Sequence, residues 1–195
     1  IGRPEGVLDG LVGALLCQTS GDEEEERGSE ERMRQEAGLQ ALVDLAMRNE
    51  HNKVAIVKFP GMLRALTTVL QEAPHQHAQD TAAMVIANCA DNFAAGGGPE
   101  AAARIVEEPV LLDALRALLL QSLATLDSSA NRSACLAAVV SLSDHPAAVA
   151  RLRESGLTET LQTILASTGQ GKAHEALRAE ALMAMSNLSA DLASL

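Results

Sequence analysis

The stretch ALMAMSNLS at residues 181–189 determines how the rest of the sequence is interpreted, because weaker copies of it occur three times upstream. The copies are GLQALVDLA at 38–46, AAMVIANCA at 82–90 and CLAAVVSLS at 135–143. Aligned on Asn187, all four have an apolar residue at the next position, and these apolar residues are 44, 53 and 46 residues apart. Similarity at this spacing, in a pattern compatible with helices, predicts a series of helical repeats that bury their apolar faces against one another.

A second recurring unit begins at residues 6, 61, 110 and 156, with the sequences GVLDGLVGALL, GMLRALTTVL, VLLDALRALL and GLTETLQTIL. In each unit the second, sixth, ninth and tenth residues are apolar. They are Val7, Leu11, Ala14 and Leu15; Met62, Leu66, Val69 and Leu70; Leu111, Leu115, Leu118 and Leu119; and Leu157, Leu161, Ile164 and Leu165. This spacing forms one stripe on a helix, so we expect a helix with a buried face in every unit.

Shorter helical segments precede three of these units, at 51–59 (HNKVAIVKF), 99–107 (PEAAARIVE) and 146–155 (PAAVARLRES). Pro99 and Pro146 suit the first turn of a helix, where the missing N–H is not needed. Gly61 and Gly156 suit the tight turn between two helices, because a positive φ costs Gly nothing. Each full repeat is therefore predicted to contain a short helix, a second helix and a third helix that carries the Asn position.

This three-helix pattern resembles the armadillo repeat, and HNKVAIVKFPGMLRALTTVL at 51–70 and EALMAMSNLS at 180–189 carry the most specific part of the resemblance. The two-helix HEAT repeat is the alternative, but it does not account for the short segments. The resemblance implies an all-α fold, a right-handed α-solenoid of about four armadillo-like repeats that forms one domain over residues 1–195. The repeats are expected at about 1–48, 51–92, 99–144 and 146–190.

The composition favours the same fold class and excludes some functions. The chain is 47% hydrophobic, yet it contains no Trp or Tyr and only two Phe, so Ala and aliphatic residues must fill its core. Ala and Leu favour helices, whereas strands favour β-branched and aromatic residues. The formal net charge of -11 disfavours nucleic acid and anionic membrane surfaces as partners. No apolar run approaches the roughly 18 residues that a membrane span needs.

Cysteine usage favours an intracellular, cytoplasmic location. Cys17, Cys89 and Cys135 are odd in number, far apart and set in apolar helical segments, so we expect buried reduced thiols. Because the sequence begins with Ile1 and not with Met, we expect it to be a processed or excised piece.

Two insertions interrupt the repeats. Residues 19–31 (TSGDEEEERGSEE) are rich in acids that cannot bury apolar surface, so we expect a solvated loop insert. Its acidic run at 22–26 has an alternative role, as a tether for a basic partner segment. Residues 94–98 (AAGGG) are expected to be a flexible connector that accounts for the 53-residue spacing.

The armadillo resemblance implies a binding groove lined by the third helices, in which an Asn of each repeat binds the backbone of an extended peptide. An amide can donate and accept, so it can pair with both groups of a peptide unit. The groove positions are the Asn column and the column four residues earlier, where peptide-binding members of the family have Trp. In this chain they are Asp44, Asn88, Ser141 and Asn187, and Gln40, Met84, Ala137 and Met183.

Each of these positions also has a structural interpretation. Asn88 and Asn187 could instead satisfy nearby backbone groups. Met84 and Met183 could be adaptable contacts, but we expect core filling to be their role.

No catalytic or metal-binding pattern is recognised in the sequence. His75 and His77 lack a third ligand at a zinc-like spacing, so a solvated loop is expected there. The sequence Ser143-Asp144-His145 is interpreted as a helix end and turn, because adjacency in sequence does not make a catalytic triad. The glycines at 96–98 lack the strand, the Lys and the spacing of a phosphate-binding loop. We therefore expect no enzyme activity, no metal and no cofactor.

The sequence thus predicts a scaffold that binds a protein or peptide along the groove or within a larger assembly. The acidic net charge of the chain favours a basic partner. Two other classes of function stay open. One is an armadillo-type co-chaperone or exchange factor that clamps a folded domain. The other is a fragment of an enzyme whose active site lies outside this chain.

Overall fold

The computed structural model describes residues 4–16, 25–47, 49–73, 75–91, 98–124, 129–167 and 172–190. In these ranges all regular secondary structure is α-helical, which confirms the predicted all-α class. In chain order the helices are α1 (Pro4–Leu15), α2 (Glu25–Ala46), α3 (Glu50–Lys58), α4 (Met62–Glu72), α5 (Gln76–Ala90), α6 (Gly98–Val106), α7 (Pro109–Ala124), α8 (Ser129–Ser143), α9 (Pro146–Glu154), α10 (Leu157–Ser167) and α11 (Lys172–Ala190). None of these described helices is long and apolar enough to cross a membrane.

Helices three apart in chain order pack side by side and form three rows. The main row consists of α2, α5, α8 and α11, each packed against the next. The middle row consists of α1, α4, α7 and α10, and the short row of α3, α6 and α9. Consecutive helices, such as α4 with α5 and α7 with α8, connect the rows. The main, middle and short rows hold the helices that the sequence predicts as third, second and short helices.

The stripe predicted for the second helices lies in the core. Leu66, Leu115 and Leu161 occupy the same position in α4, α7 and α10, and each is at most 1% exposed. Burying one such side chain stabilises the fold by about 1.5 to 3 kcal/mol. Because an isolated helix of this length is marginal in water, the packing between rows is what stabilises the helices.

The tight turns predicted before the second helices are also present. Gly61 has a φ of 83° and Gly156 a φ of 77°, the left-handed region that favours Gly. Pro146 lies in the first turn of α9, as predicted.

The predicted acidic loop at 19–31 is wrong for its second half, because α2 begins at Glu25. Glu and Arg are good helix formers. Glu30 lies 3.6 Å from Arg34, and Arg32 lies 3.7 Å from Glu36. Pairs of opposite charge four residues apart add to helix stability. Residues 19–24 lie outside the described ranges.

The apolar stripe of α1 is only partly buried. Leu15 is in the core, whereas Val7 is exposed, contrary to the prediction. Helix α1 packs mainly against α2 and α4, so one of its sides remains in solvent.

The predicted connector at 94–98 ends in a close contact. Gly98 is the buried first residue of α6. A Cβ at this position would lie 2.7 Å from the carbonyl oxygen of Asp91 and 3.1 Å from that of Ala90. Gly98 is therefore needed for the start of α6 to approach the end of α5. Residues 94–97 lie outside the described ranges.

Candidate functional site

The eight predicted groove residues all lie on the main row, and we call them the site face. Four of them are exposed and four are half-buried; the exposed ones are Gln40, Asp44, Met84 and Met183, and the half-buried ones are Asn88, Ala137, Ser141 and Asn187. Residues four apart share one side of a helix, so each main-row helix contributes a pair. Since the four helices pack in series, the four pairs lie in a row.

Asn187 is tied to the neighbouring helix. Its Nδ2 donates to Oγ of Ser143 over 3.1 Å and to Oδ1 of Asp144. Both acceptors lie at the C-terminal end of α8, so these bonds fix the contact between α8 and α11. The amide donor of Asn187 is therefore used within the protein, by side chains and not by the backbone groups considered above.

Asn88 differs from Asn187. It is half-buried on α5, and it makes no side-chain hydrogen bond within the described part of the chain. Its amide therefore retains both donor and acceptor capacity for an external partner.

The two site-face residues of α2, Gln40 and Asp44, are hydrogen-bonded to each other. Nε2 of Gln40 donates to Oδ1 of Asp44 over 3.0 Å at an exposed position. A solvent-exposed hydrogen bond of this kind contributes only about 0.5 to 1.5 kcal/mol net, so a partner's polar groups can replace it.

The two Met residues of the site face lie at the surface, so the prediction that they fill the core is wrong. Met84 is 44% exposed and Met183 is 56% exposed. Met is flexible and polarisable, and it adapts to differently shaped partners. Ala137, at the equivalent position of α8, packs partly against the core.

Cationic side chains of the short row bind the C-terminal ends of the main row. Nζ of Lys53 on α3 donates to the carbonyl oxygen of Asp91 over 2.7 Å. Nε of Arg153 on α9 donates to the carbonyl oxygen of Leu188 over 2.8 Å. Carbonyls at a helix C-terminus lack intrahelical donors and carry the negative end of the dipole, so cations stabilise them. These bonds help to hold the site face in place.

Two acidic groups lie between main-row helices. Burial raises the pKa of Asp80 on α5 to about 6, and the charge of His77 partly opposes this effect. Burial likewise raises the pKa of Glu180 on α11, although Ser133 of α8 donates to its Oε1 over 3.3 Å. The other oxygen, Oε2, is buried and has no hydrogen-bond partner among the described residues. Both carboxyl groups therefore bind protons more readily than exposed ones do.

Acidic groups that the sequence pattern did not indicate lie beside the site face. Asp91 and Asp144 occupy equivalent positions, three residues after Asn88 and Ser141, and extending the alignment by one turn would have found them. Glu180 left no such signal, because the equivalent residues of the other main-row helices are Ala37, Thr81 and Ala134.

Ser143, Asp144 and His145 do not act on one another as a catalytic triad would. Oγ of Ser143 donates to a backbone carbonyl within α8, and Asp144 accepts from Asn187. Nε2 of the buried His145 lies 2.6 Å from the carbonyl oxygen of Ala90. The three residues form the end of α8 and the turn into α9, as predicted.

The other His and Cys residues do not form a reactive or metal-binding site within the described ranges. His75 precedes α5, while His77 lies within it, so the predicted loop is wrong for His77. In the described ranges no three His, Cys, Asp or Glu residues cluster so as to hold a metal ion. Cys89 and Cys135 are buried and unpaired, as predicted. Burial raises the pKa of both thiols to about 12, so they are protonated and unreactive. Cys17 lies outside the described ranges.

Comparison with known proteins adds no family assignment. No family model matches the chain, and a search of curated proteins found no match. The armadillo resemblance therefore rests on the residue pattern alone.

Proposed function

We propose that this chain is a non-enzymatic scaffold, a right-handed armadillo-like α-solenoid of about four three-helix repeats in one domain. It binds a partner polypeptide on the site face, alone or as a subunit of a larger assembly. The serial packing of α2, α5, α8 and α11 supports the repeat architecture. The agreement between the observed helix bounds and the repeating sequence segments supports it as well.

The observation that carries the binding proposal is the pair Met84 and Asn88. Met84 exposes 44% of its surface, and the amide of Asn88 beside it has no side-chain hydrogen bond within the described residues. A flexible apolar side chain beside an amide with unused donor and acceptor offers a partner polypeptide an adaptable contact and hydrogen bonds at one place. Met183, at the equivalent position of α11, is a second exposed Met on the site face.

The charge near the site face favours a basic partner. Asp44 is exposed on the site face, and Asp144 lies beside Asn187. The whole chain carries a formal net charge of -11. Complementary charge accelerates association and selects against acidic competitors.

The proposal is tested by capturing partners from a lysate with the wild-type chain and measuring one of them by calorimetry. The variant is Met84→Ala combined with Asn88→Ala, because Asn187→Ala would also loosen the contact between α8 and α11. Loss of one hydrogen bond and one apolar contact should weaken binding by about 1 to 3 kcal/mol. Val110→Ala is the matched control, since Val110 is 54% exposed but lies on α7 in the middle row.

Equal affinity of the double variant and wild type would remove the site face as the binding surface. A captured partner that binds only as a folded domain, and not as a peptide, would favour the co-chaperone class. Turnover of a metabolite by the purified chain would contradict the non-enzymatic proposal.

An intracellular, cytoplasmic location forms part of the same proposal. It is supported by Cys89 and Cys135, which are buried as free thiols. Disulfides are common in oxidising compartments and rare in the cytosol.

A further inference from the structure

Hydrogen bonds between α8 and α11 mark the sides on which two main-row helices meet. Ser133 of α8 donates to Glu180 of α11, and Asn187 of α11 donates to Ser143 of α8. We call the side of a helix that meets the next one its forward face, and the opposite side its rear face. Leu136 belongs to the forward face of α8, because it lies three residues after Ser133 and seven before Ser143.

The forward face of α11 is bare. Leu182 occupies the position that Leu39, Ala83 and Leu136 occupy in α2, α5 and α8. Those three residues are 0% exposed, whereas Leu182 is 54% exposed. The other exposed residues of this stripe on α11 are Glu175, Ala179, Ser186 and Ser189. The Leu182 position, which is buried on every preceding helix of the row, is therefore open on α11.

The rear face of α2 is bare in the same way. Ala41 occupies the position of Val85, Ala138 and Ala184, all of which are 0% exposed. Ala41 itself is only half-buried. Its rear-face neighbours Arg34, Ala37 and Asp44 are exposed.

We propose that the occupant of the forward face of α11 is the rear face of α2 in a second copy of this chain, so that two copies associate head to tail. The contact continues the packing of the main row across the boundary between two chains. This proposal does not depend on the binding of a partner at Met84 and Asn88.

The residues of the two bare faces match those of a contact that the chain already makes. The forward face of α8 carries Leu136 and the rear face of α11 carries Ala184, and both are 0% exposed. At the equivalent positions, the proposed contact places Leu182 against Ala41. A large side chain against a small one allows two helices to approach closely. Burying a Leu side chain in this way stabilises association through the hydrophobic effect.

The charges near the two faces also favour the head-to-tail contact. The helices α8 and α11 run parallel, because residues 133 and 143 bind residues 180 and 187 in the same order. If α2 of a second copy follows the same orientation, Arg34 and Glu175 lie toward the N-terminal ends of the facing surfaces. Both are exposed and have opposite charges.

Because the forward and rear faces differ, each added copy exposes a new forward face. Association therefore does not stop at a dimer unless the rotation between successive copies closes a ring. The average mass should therefore rise with protein concentration. Analytical ultracentrifugation of the whole chain over a range of concentrations measures this rise.

Three variants make the test specific. Leu182→Glu should abolish association through the forward face, and Ala41→Glu should abolish it through the rear face. Met183→Glu is the control, because Met183 is as exposed as Leu182 but lies outside the stripe that contains Ala179, Leu182 and Ser186. Circular dichroism checks that each variant is folded. If Ala41→Glu unfolds the chain, Arg34→Glu replaces it as the rear-face variant.

Mixing the two face variants decides between modes of association. Each variant alone should remain monomeric, while the mixture should form a one-to-one dimer and nothing larger, because one intact face of each kind remains. Wild type that stays monomeric at all concentrations overturns the proposal. So does a rear-face variant that dimerises alone, since that indicates symmetric pairing of two α11 helices.

Discussion

Lys53 is 2% exposed, and its ammonium group donates a hydrogen bond of 2.7 Å to the main-chain carbonyl of Asp91. This carbonyl follows the last turn of α5, where the negative end of the helix dipole lies. A buried cation needs such a partner, because leaving one unpaired costs several kcal/mol by typical estimates. The bond therefore joins α3 to the end of a main-row helix.

Replacing Lys53 by Met should lower the free energy of unfolding by about 1 to 3 kcal/mol, because the carbonyl of Asp91 loses a charged donor. Urea unfolding followed by circular dichroism measures the change. Lys58→Met is the matched control on the same helix, since Lys58 forms an exposed ion pair with Glu100 that contributes about 0 to 1 kcal/mol. A variant more stable than wild type would show that desolvation of the ammonium outweighs its bond.

Gly98→Ala should destabilise the chain by about 1 to 3 kcal/mol, because the added methyl overlaps the carbonyl oxygens of Asp91 and Ala90. Gly10→Ala is the control within α1, where a Cβ meets nothing within 4 Å. That change should stabilise by about 0.5 to 1 kcal/mol, since Ala favours a helix. Thermal unfolding of the two variants and of wild type measures the loss of stability expected for Gly98→Ala and the gain expected for Gly10→Ala. Equal changes in stability for the two variants would contradict the close approach of α5 and α6.

Leu66→Ala, Leu115→Ala and Leu161→Ala should each cost about 2 to 5 kcal/mol, through lost burial and the cavity that remains. Leu120→Ala in α7 is the control, because Leu120 is exposed. Chemical denaturation compares the four variants. If the three core variants behave like Leu120→Ala, the predicted alignment of the second helices is incorrect.

Asp80 should make stability depend on pH. Its pKa is raised from 3.8 to about 6 in the folded protein, so folding favours the protonated carboxyl group. The stabilisation from this proton is complete below about pH 4 and is lost as the pH rises through about 6. Relative to Asp80→Asn, wild type should therefore lose stability between pH 4.5 and 7.5.

Urea titrations of both proteins across this range measure the difference. Asp9→Asn controls for the removal of one negative charge, because Asp9 is exposed on α1. If the difference between wild type and Asp80→Asn stays constant with pH, Asp80 is not the titrating group.

The helices were predictable because their apolar stripes repeat, and four agreeing alignments reinforce one another. The positive φ of Gly61 and Gly156 followed from local chemistry. The helical start of α2 was not evident from the sequence, because a run of acids is typical of a solvated loop. Ion pairs four residues apart, such as Glu30 with Arg34, favour the helix. The tight contact of Gly98 was missed because a glycine run does not reveal which main-chain atoms approach it.

The candidate site was predictable in position and less so in detail. The column alignment located Asn88 and Asn187 on the main row, but alignment treats them as equal. The structure distinguishes them because Asp144 and Ser143 on α8 bind the amide of Asn187. The exposure of Met84 and Met183 could not be predicted from residue type either, since Met occurs both in cores and at binding surfaces.

All the principal helix pairs lie one to three elements apart in chain order. No step of folding therefore requires distant parts of the chain to meet, and the entropy lost on closing loops stays small. Such a topology favours rapid folding that can begin at more than one place and spread along the chain. It also limits the effect of local unfolding, because a helix that unfolds loses contacts only with helices up to three places away in chain order.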